Sequence, residues 1–210
     1  MSHLNLDKIT SEDIKKIDEA FDEPINIQIM FKVMKNPNIS SKELKDALFL
    51  KGSKIYYYLN YLEEVWHEEK SFLISEETHD LVRKHLKVKK FTINPWFKNL
   101  LNSDQFINLY ESEEETKRWH RIIFLKISIS LLSLQLREFM EGTPEEVNKK
   151  ISNLPGFELM FMTKESSKFF KNKMQGIFQE LCALEEQQLP IYDLISKSDF
   201  SIILGSVKNF

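Results

Sequence analysis

The stretch SSKELKDALFLKGSKIYYYLNYLEE, residues 40–64, decides the fold because it contains two helix signals with a short break between them. Ser40 and Glu43 have the spacing of a capping box, in which each side chain satisfies a free backbone N–H group of the other residue. A short apolar stripe follows at helical spacing: Leu44, Ala47 and Leu48. This pattern predicts a short helix that packs one face against a core.

A second helix follows the break at residues 50–53, and its two faces differ. Three apolar residues at i, i+4 and i+7 form the inner face: Ile55, Leu59 and Leu62. Three others share the opposite, solvent-facing side: Lys54, Tyr57 and Tyr61. Tyr56 and Tyr58 flank the inner face, and for them packing against the rest of the protein is an equal alternative. We predict a helix over residues 53–66.

Two further helices are predicted before this stretch. The first covers residues 11–21, with Thr10 and Ser11 as capping candidates. The second begins at Pro24, which suits the first turn of a helix, and stops at Asn36 because Pro37 disfavours helix in its predecessor.

Two short strands with a long tip between them are predicted after the helices, at residues 71–74 and 89–93. Pro95 ends the second strand. The last three of these four helices, followed by a hairpin, have the order that is typical of a winged helix-turn-helix domain. We place that domain at residues 1–96.

The hairpin contains a run of positive charge. Residues 81–98 have six cations and no acid, although the whole chain has a formal net charge of −3. The cations are Arg83, Lys84, Lys87, Lys89, Lys90 and Lys98. Such a local excess favours a polyanionic partner. The alternative is a solvated hairpin tip that is basic only for solubility.

The second half, residues 97–210, is expected to be helical, with helices over residues 97–110 and 113–140. From Ile122 onward the longer segment is apolar on almost every side, so a helix there would be buried on every side. The alternation in KISISLLSLQL leaves a strand as the alternative. A single chain of this size does not readily cover so much apolar surface, which predicts a homodimer interface. Its residues are Ile122, Ile123, Leu125, Ile129, Leu132, Leu136 and Phe139.

Several other classes of protein are excluded on composition. The single cysteine, Cys182, rules out an internal disulfide and Cys-rich zinc patterns, and the histidines have no metal-ligand spacing. No nucleophile-elbow or phosphate-loop motif occurs, so we expect neither an enzyme nor a cofactor or metal. The N-terminal residues contain no apolar signal region, and residues 122–136 are too short to cross a bilayer. We therefore expect a cytoplasmic protein with no membrane partner.

Residues 40–64 resemble the recognition region of ArsR-type winged-helix regulators, which have a positioning helix, a tight turn and a helix of Val-Tyr-Tyr-His-Leu character. The long hairpin, and an apolar strand after a terminal helix, are similar to a long-wing, non-metal subgroup of that family. Three positions depart from the family pattern. Phe49 stands where the turn usually has Gly, Lys51 where Ser or Thr caps the next helix, and Asn26 where Arg is common. A turn of different shape is the alternative that these departures leave open.

The sequence therefore predicts a mainly α protein with a small β component: a winged helix-turn-helix domain joined to a helical dimerisation domain. It would regulate transcription as a homodimer, with helix 53–66 in the major groove of double-stranded DNA and a basic wing, residues 79–90, on the backbone or in the minor groove. The expected DNA contacts are Lys51, Ser53, Lys54, Tyr57, Asn60, Tyr61, Arg83, Lys84, Lys87, Lys89 and Lys90. The alternative is a winged-helix module that binds protein instead of DNA. An apolar small-molecule effector in the helical half is an equal alternative to a filled core.

Overall fold

The computed structural model describes residues 9–79, 87–103, 106, 112–145, 147, 173 and 176. This part of the protein is mainly helical, with a small three-stranded antiparallel sheet. Its elements are α1 (Ser11–Asp22), α2 (Pro24–Lys35), β1 (Ile39–Ser40), α3 (Ser41–Ala47), α4 (Lys54–Glu63), β2 (Leu73–His79), β3 (Lys87–Ile93), α5 (Pro95–Leu101) and α6 (Glu113–Glu141). The described residues up to Glu141 belong to one compact unit, and a second unit begins at Gly142.

The first three helices begin where their sequence signals predict. Thr10 and Asp13 form a reciprocal capping box at the start of α1. A second capping box begins α3, where the Ser40 N–H donates to Glu43 Oε2 over 2.8 Å and the Glu43 N–H donates to Ser40 Oγ over 3.2 Å. Pro24 occupies the first turn of α2, as predicted.

Helix α4 packs on the core through Ile55, Leu59 and Leu62, all buried as predicted. The helix is shorter than the predicted span of residues 53–66, because it ends at Glu63. After the helix the indole of Trp66 packs on Phe72, with 5.0 Å between the ring centroids. This inward packing requires the chain to leave the helical path.

The sheet has the order β1-β3-β2, and both pairings are antiparallel. The prediction of two short strands around a long tip was wrong in length, since β2 extends to His79 and β3 begins at Lys87. The added residues are polar except for Val88 and lack an apolar pattern. Opposite charges face each other across the two strands, as at Glu76 with Lys90 and Glu77 with Lys89, which favours the longer pairing.

The long apolar segment is helical, so the strand alternative for KISISLLSLQL is wrong. The helix predicted over residues 97–110 is also corrected, because α5 begins at Pro95 and ends at Leu101. The Asn102 N–H donates to the Lys98 carbonyl over 3.2 Å and the Ser103 N–H donates to the Leu100 carbonyl over 3.0 Å, and these bonds close the helix. The strand and helix expected near the end of the chain lie outside the described residues.

Helix α6 packs against α2 and also contacts α1. The Gln28 side-chain amide donates to the Ser130 carbonyl over 2.8 Å, and Ser130 Oγ donates to the Pro24 carbonyl over 2.6 Å. The expectation that α6 is buried on every side was wrong for the single chain, because one long face is exposed. Ile123, expected at a dimer interface, is instead buried in the core, since it lies one turn after the buried Trp119 on the inward face.

Candidate nucleic-acid interface

The outer face of α4 presents polar and aromatic side chains to solvent. Lys54 and Asn60 are exposed, and 72% of Tyr57 is accessible to solvent. The Tyr57 ring has an edge contact with Tyr58, with 5.4 Å between centroids. The first turn of α4 contains no acid. Side chains of this kind can donate and accept hydrogen bonds at base edges and can contact phosphates.

Tyr61 does not lie on the open face as expected, because it is half-buried and packs against the hydrophobic core. Its hydroxyl oxygen is buried without a hydrogen-bond partner. Burial, followed by the negative charges of Glu19 and Glu64, raises the pKa of Tyr61 to about 12. The phenol is therefore neutral at physiological pH. Tyr58 is also half-buried against the core, whereas Tyr56 is exposed.

The turn between α3 and α4 contains two residues in the left-handed backbone region, Phe49 with φ of 53° and Gly52 with φ of 74°. Phe49 thus adopts the conformation that glycine accepts without steric cost. Lys51 and Ser53 are exposed at this turn, and Ser53 precedes α4 without a capping bond from its side chain. Arg137 of α6 donates to the Leu48 carbonyl over 2.8 Å and so supports the turn from behind.

The described cations of the hairpin lie next to acids. Lys87 Nζ is 3.0 Å from Glu77 Oε2, and Lys89 Nζ is 2.7 Å from Glu63 Oε2 of α4. Lys90 faces Glu76 across the strands. It also contributes to the lowered pKa of Glu43, behind the larger contribution of the Ser40 hydrogen bonds. Arg83 and Lys84 lie outside the described residues.

An open groove separates the second half of α4 from β3. Its lining consists of Tyr57, Asn60, Tyr61, Glu63, Glu64 and Lys89. The two glutamates make this end of α4 acidic, in contrast with the first turn. An anion is therefore better accommodated near Lys54 than at the far end of the helix.

A buried ionic cluster at the base of the hairpin could not be predicted from sequence spacing. Asp13 Oδ2 accepts a hydrogen bond from Lys70 Nζ over 3.0 Å, and Asp13 Oδ1 accepts one from Trp66 Nε1 over 2.9 Å. Lys70 Nζ also lies 5.5 Å from the centre of the Trp96 ring. Burial raises the pKa of Asp13, but the hydrogen bonds from Trp66, Thr10 and Lys70 outweigh it and hold the pKa below 3.8. The cluster fixes α1 to the start of the hairpin.

Other chemistry finds little support in the described part of the chain. There, no group of three His, Cys, Asp or Glu side chains is arranged to hold a metal ion. Among the described helices, none has the combination of length and apolar character that crossing a membrane requires.

Comparisons with protein-family profiles, with curated proteins and with solved structures find no match to this chain.

Proposed function

We propose that the protein is a sequence-specific DNA-binding transcriptional regulator that acts as a homodimer. It would use a winged helix-turn-helix domain in which α3 and α4 are the two helices of the motif and β2–β3 is the wing. The order of helices and strands and the left-handed turn at Phe49 support this assignment. The domain boundary between residues 96 and 97, and the binding of an apolar small-molecule effector by the helical half, stay predictions.

The single observation that carries the proposal is the outer face of α4. Its back is fixed on the core by three buried residues, while Lys54, Tyr57 and Asn60 remain exposed. A rigid helix with an open polar face and no acid in its first turn fits the major groove of B-DNA, which is about 12 Å wide.

The second candidate function is a protein-binding module with the same fold. The pairing of Lys87 and Lys89 with glutamates favours it, because a paired cation contributes less to attraction of a phosphate backbone. The net charge of −3 favours it as well. In this alternative the groove beside α4 would receive a protein segment.

The deciding experiment measures binding of the purified full chain to DNA from its own upstream region by fluorescence anisotropy, with shuffled DNA as competitor. We expect Lys54→Ala to weaken specific binding about 10-fold, since a base or phosphate contact is worth about 1–3 kcal/mol. Lys117→Ala is the matched control. Lys117 is an exposed lysine near the start of α6, whereas the α3–α4 turn contacts α6 near its end. Equal affinity for upstream and shuffled DNA, or no binding of either, would reject sequence-specific recognition in this region.

A further inference from the structure

The exposed face of α6 has a regular apolar pattern. Five exposed residues and the half-buried Phe139 recur at alternating intervals of three and four residues: Ile122, Leu125, Ile129, Leu132, Leu136 and Phe139. This is the a and d spacing of a coiled coil over nearly three heptads. At 1.5 Å per residue the stripe is about 27 Å long.

A different side of the same helix already packs on the core. Trp119, Ile123, Ser130 and Leu134 are buried there. Helix α6 therefore has two separate apolar or small-residue faces, one filled by the protein's own core and one open. An amphipathic surface helix needs only the first, and the second has no apolar partner among the residues that the structure describes.

We propose that the open stripe of α6 pairs with the same stripe of a second copy as an antiparallel two-stranded coiled coil. This inference rests on the homodimer of the proposed function and specifies its interface and direction. The antiparallel alignment matches every stripe residue with an apolar partner on the other chain. The layers are Ile122 with Phe139, Leu125 with Leu136, and Ile129 with Leu132.

The charges at the two ends of the stripe favour the antiparallel direction. Arg118 and Arg121 are exposed before its first residue, and Glu141 is exposed after its last. In an antiparallel pair the arginines of one copy lie beside the glutamate of the other, and the helix dipoles are also opposed. In a parallel pair, arginine would lie beside arginine and glutamate beside glutamate.

The test of the interface is light scattering on the full chain, with two glutamate substitutions on the same helix. Ile129 is 60% exposed on the stripe, and Phe124 is 45% exposed outside it. We expect wild type and Phe124→Glu to run at twice the 25.0 kDa chain mass. Ile129→Glu should raise the dimer dissociation constant at least about 100-fold while its circular dichroism is unchanged. A monomeric wild type, or equal dissociation in the two variants, would overturn the interface.

The direction is tested by cysteine cross-linking in a Cys182→Ser background. Ile122→Cys and Phe139→Cys proteins are oxidised separately and as a mixture. We expect a cross-linked heterodimer in the mixture and little product from either protein alone. Cross-linking of each protein with itself would instead overturn the antiparallel direction.

Failure of this inference is distinguishable from failure of the proposed function. A chain that dimerises through α6 but does not bind its upstream DNA supports the coiled coil and rejects the proposed function as a DNA-binding regulator. A wild-type chain that is monomeric but binds its upstream DNA specifically keeps the DNA-binding function and rejects the α6 interface.

Discussion

The first turn of α4 and the strand β3 both carry lysines, but their surroundings differ. Among the described residues Lys54 has no ion pair, and the Lys51 ammonium is 3.8 Å from Glu141 on a largely exposed side chain. In β3, by contrast, Lys87 and Lys89 are 3.0 Å or less from carboxylates. A run of cations along the sequence is therefore a poor measure of the positive field in space. The acids that reduce that field come from β2 and α4.

The two regions also differ in what fixes them to the core. Helix α4 depends on apolar packing, whereas the base of the hairpin depends on the buried pair of Asp13 and Lys70, whose side chains are 0% and 6% exposed. A buried ion pair costs a great deal when only one partner is removed, because the other charge stays buried without compensation. The hairpin is thus the more sensitive region to a single polar substitution.

The largest expected effect follows from Asp13→Asn, which leaves the Lys70 ammonium without its counter-charge. We expect the free energy of unfolding to fall by about 3–5 kcal/mol at pH 7, measured by urea unfolding. Glu12→Gln is the control, since it removes an acid from the same turn at an exposed position. Equal midpoints for wild type and Asp13→Asn would show that the pair does not anchor the hairpin.

The same pair gives a signed pH dependence. The folded-state pKa of Asp13 lies below its unfolded value, so its stabilising contribution is complete above about pH 4 and is lost as the pH falls through the lower, folded value. Wild type should therefore lose stability below pH 4. Asp13→Asn should lose less stability between about pH 4 and lower pH than wild type does, because it lacks the titrating carboxylate. If the free energy of unfolding of the two proteins falls equally with pH, the stabilising role of ionised Asp13 is contradicted.

The second effect concerns the outer face of α4, which is the proposed DNA-contacting surface. Tyr57→Ala should reduce affinity for the specific DNA about 10- to 100-fold and alter the preferred sequence, since one base contact is worth about 1–3 kcal/mol. Tyr57→Phe removes only the hydroxyl and should cost less. The measurement is a competition assay over randomised sites. If the preferred sequence is unchanged in Tyr57→Ala, the outer face of α4 does not read bases.

Much of the fold could be predicted from local signals. The capping boxes at Thr10 and Ser40 fix the starts of two helices, and the stripe of Ile55, Leu59 and Leu62 fixes the orientation of α4, because these signals act within a few residues. The extent of the hairpin could not be predicted, since it depends on charges that meet only when β2 and β3 pair. The same reason hides the Asp13–Lys70 pair, whose members are 57 positions apart.

The candidate site was less predictable than the fold. Helical spacing places Tyr57 and Tyr61 on similar sides of α4, yet only Tyr57 is open, because Tyr61 packs against the core. For α6, composition indicates a wholly buried helix. The structure instead separates its apolar residues into a face packed on the protein's own core and an exposed face, a distinction that needs the position of α2.

A third expected effect is a difference of about 1 kcal/mol in the free energy of unfolding, and it concerns the turn that precedes α4. Phe49→Gly and Phe49→Ala both remove the ring, but only glycine accepts a φ of 53° without strain. We expect the glycine variant to melt about 2–4 °C higher than the alanine variant. Equal melting temperatures would mean that the turn relaxes to another conformation after the ring is lost.

The smallest expected effect follows from removing the carboxylate partners of the β3 lysines, which leaves those lysines unpaired as Lys54 of α4 is among the described residues. The double substitution Glu63→Gln and Glu77→Gln removes the carboxylates bound to Lys89 and Lys87. Stability should change by no more than about 1 kcal/mol for each exposed pair. The slope of log affinity against log salt should become steeper by about 0.9 for each lysine that gains a phosphate. Glu113→Gln with Glu114→Gln is the control for net charge. An equal slope in both variants would place β3 outside the footprint.

The Gln28 amide has one more consequence, for the alignment of α6 along α2. Apolar contacts are non-directional, so by themselves they discriminate weakly between alignments that differ by one helical turn. The bonds from Gln28 to the Ser130 carbonyl and to Ser133 Oγ discriminate strongly, because a slide would leave a buried amide group without an acceptor. Together with the bond from Ser130 Oγ to the Pro24 carbonyl, these bonds select a single alignment of a 29-residue helix whose composition alone would allow several.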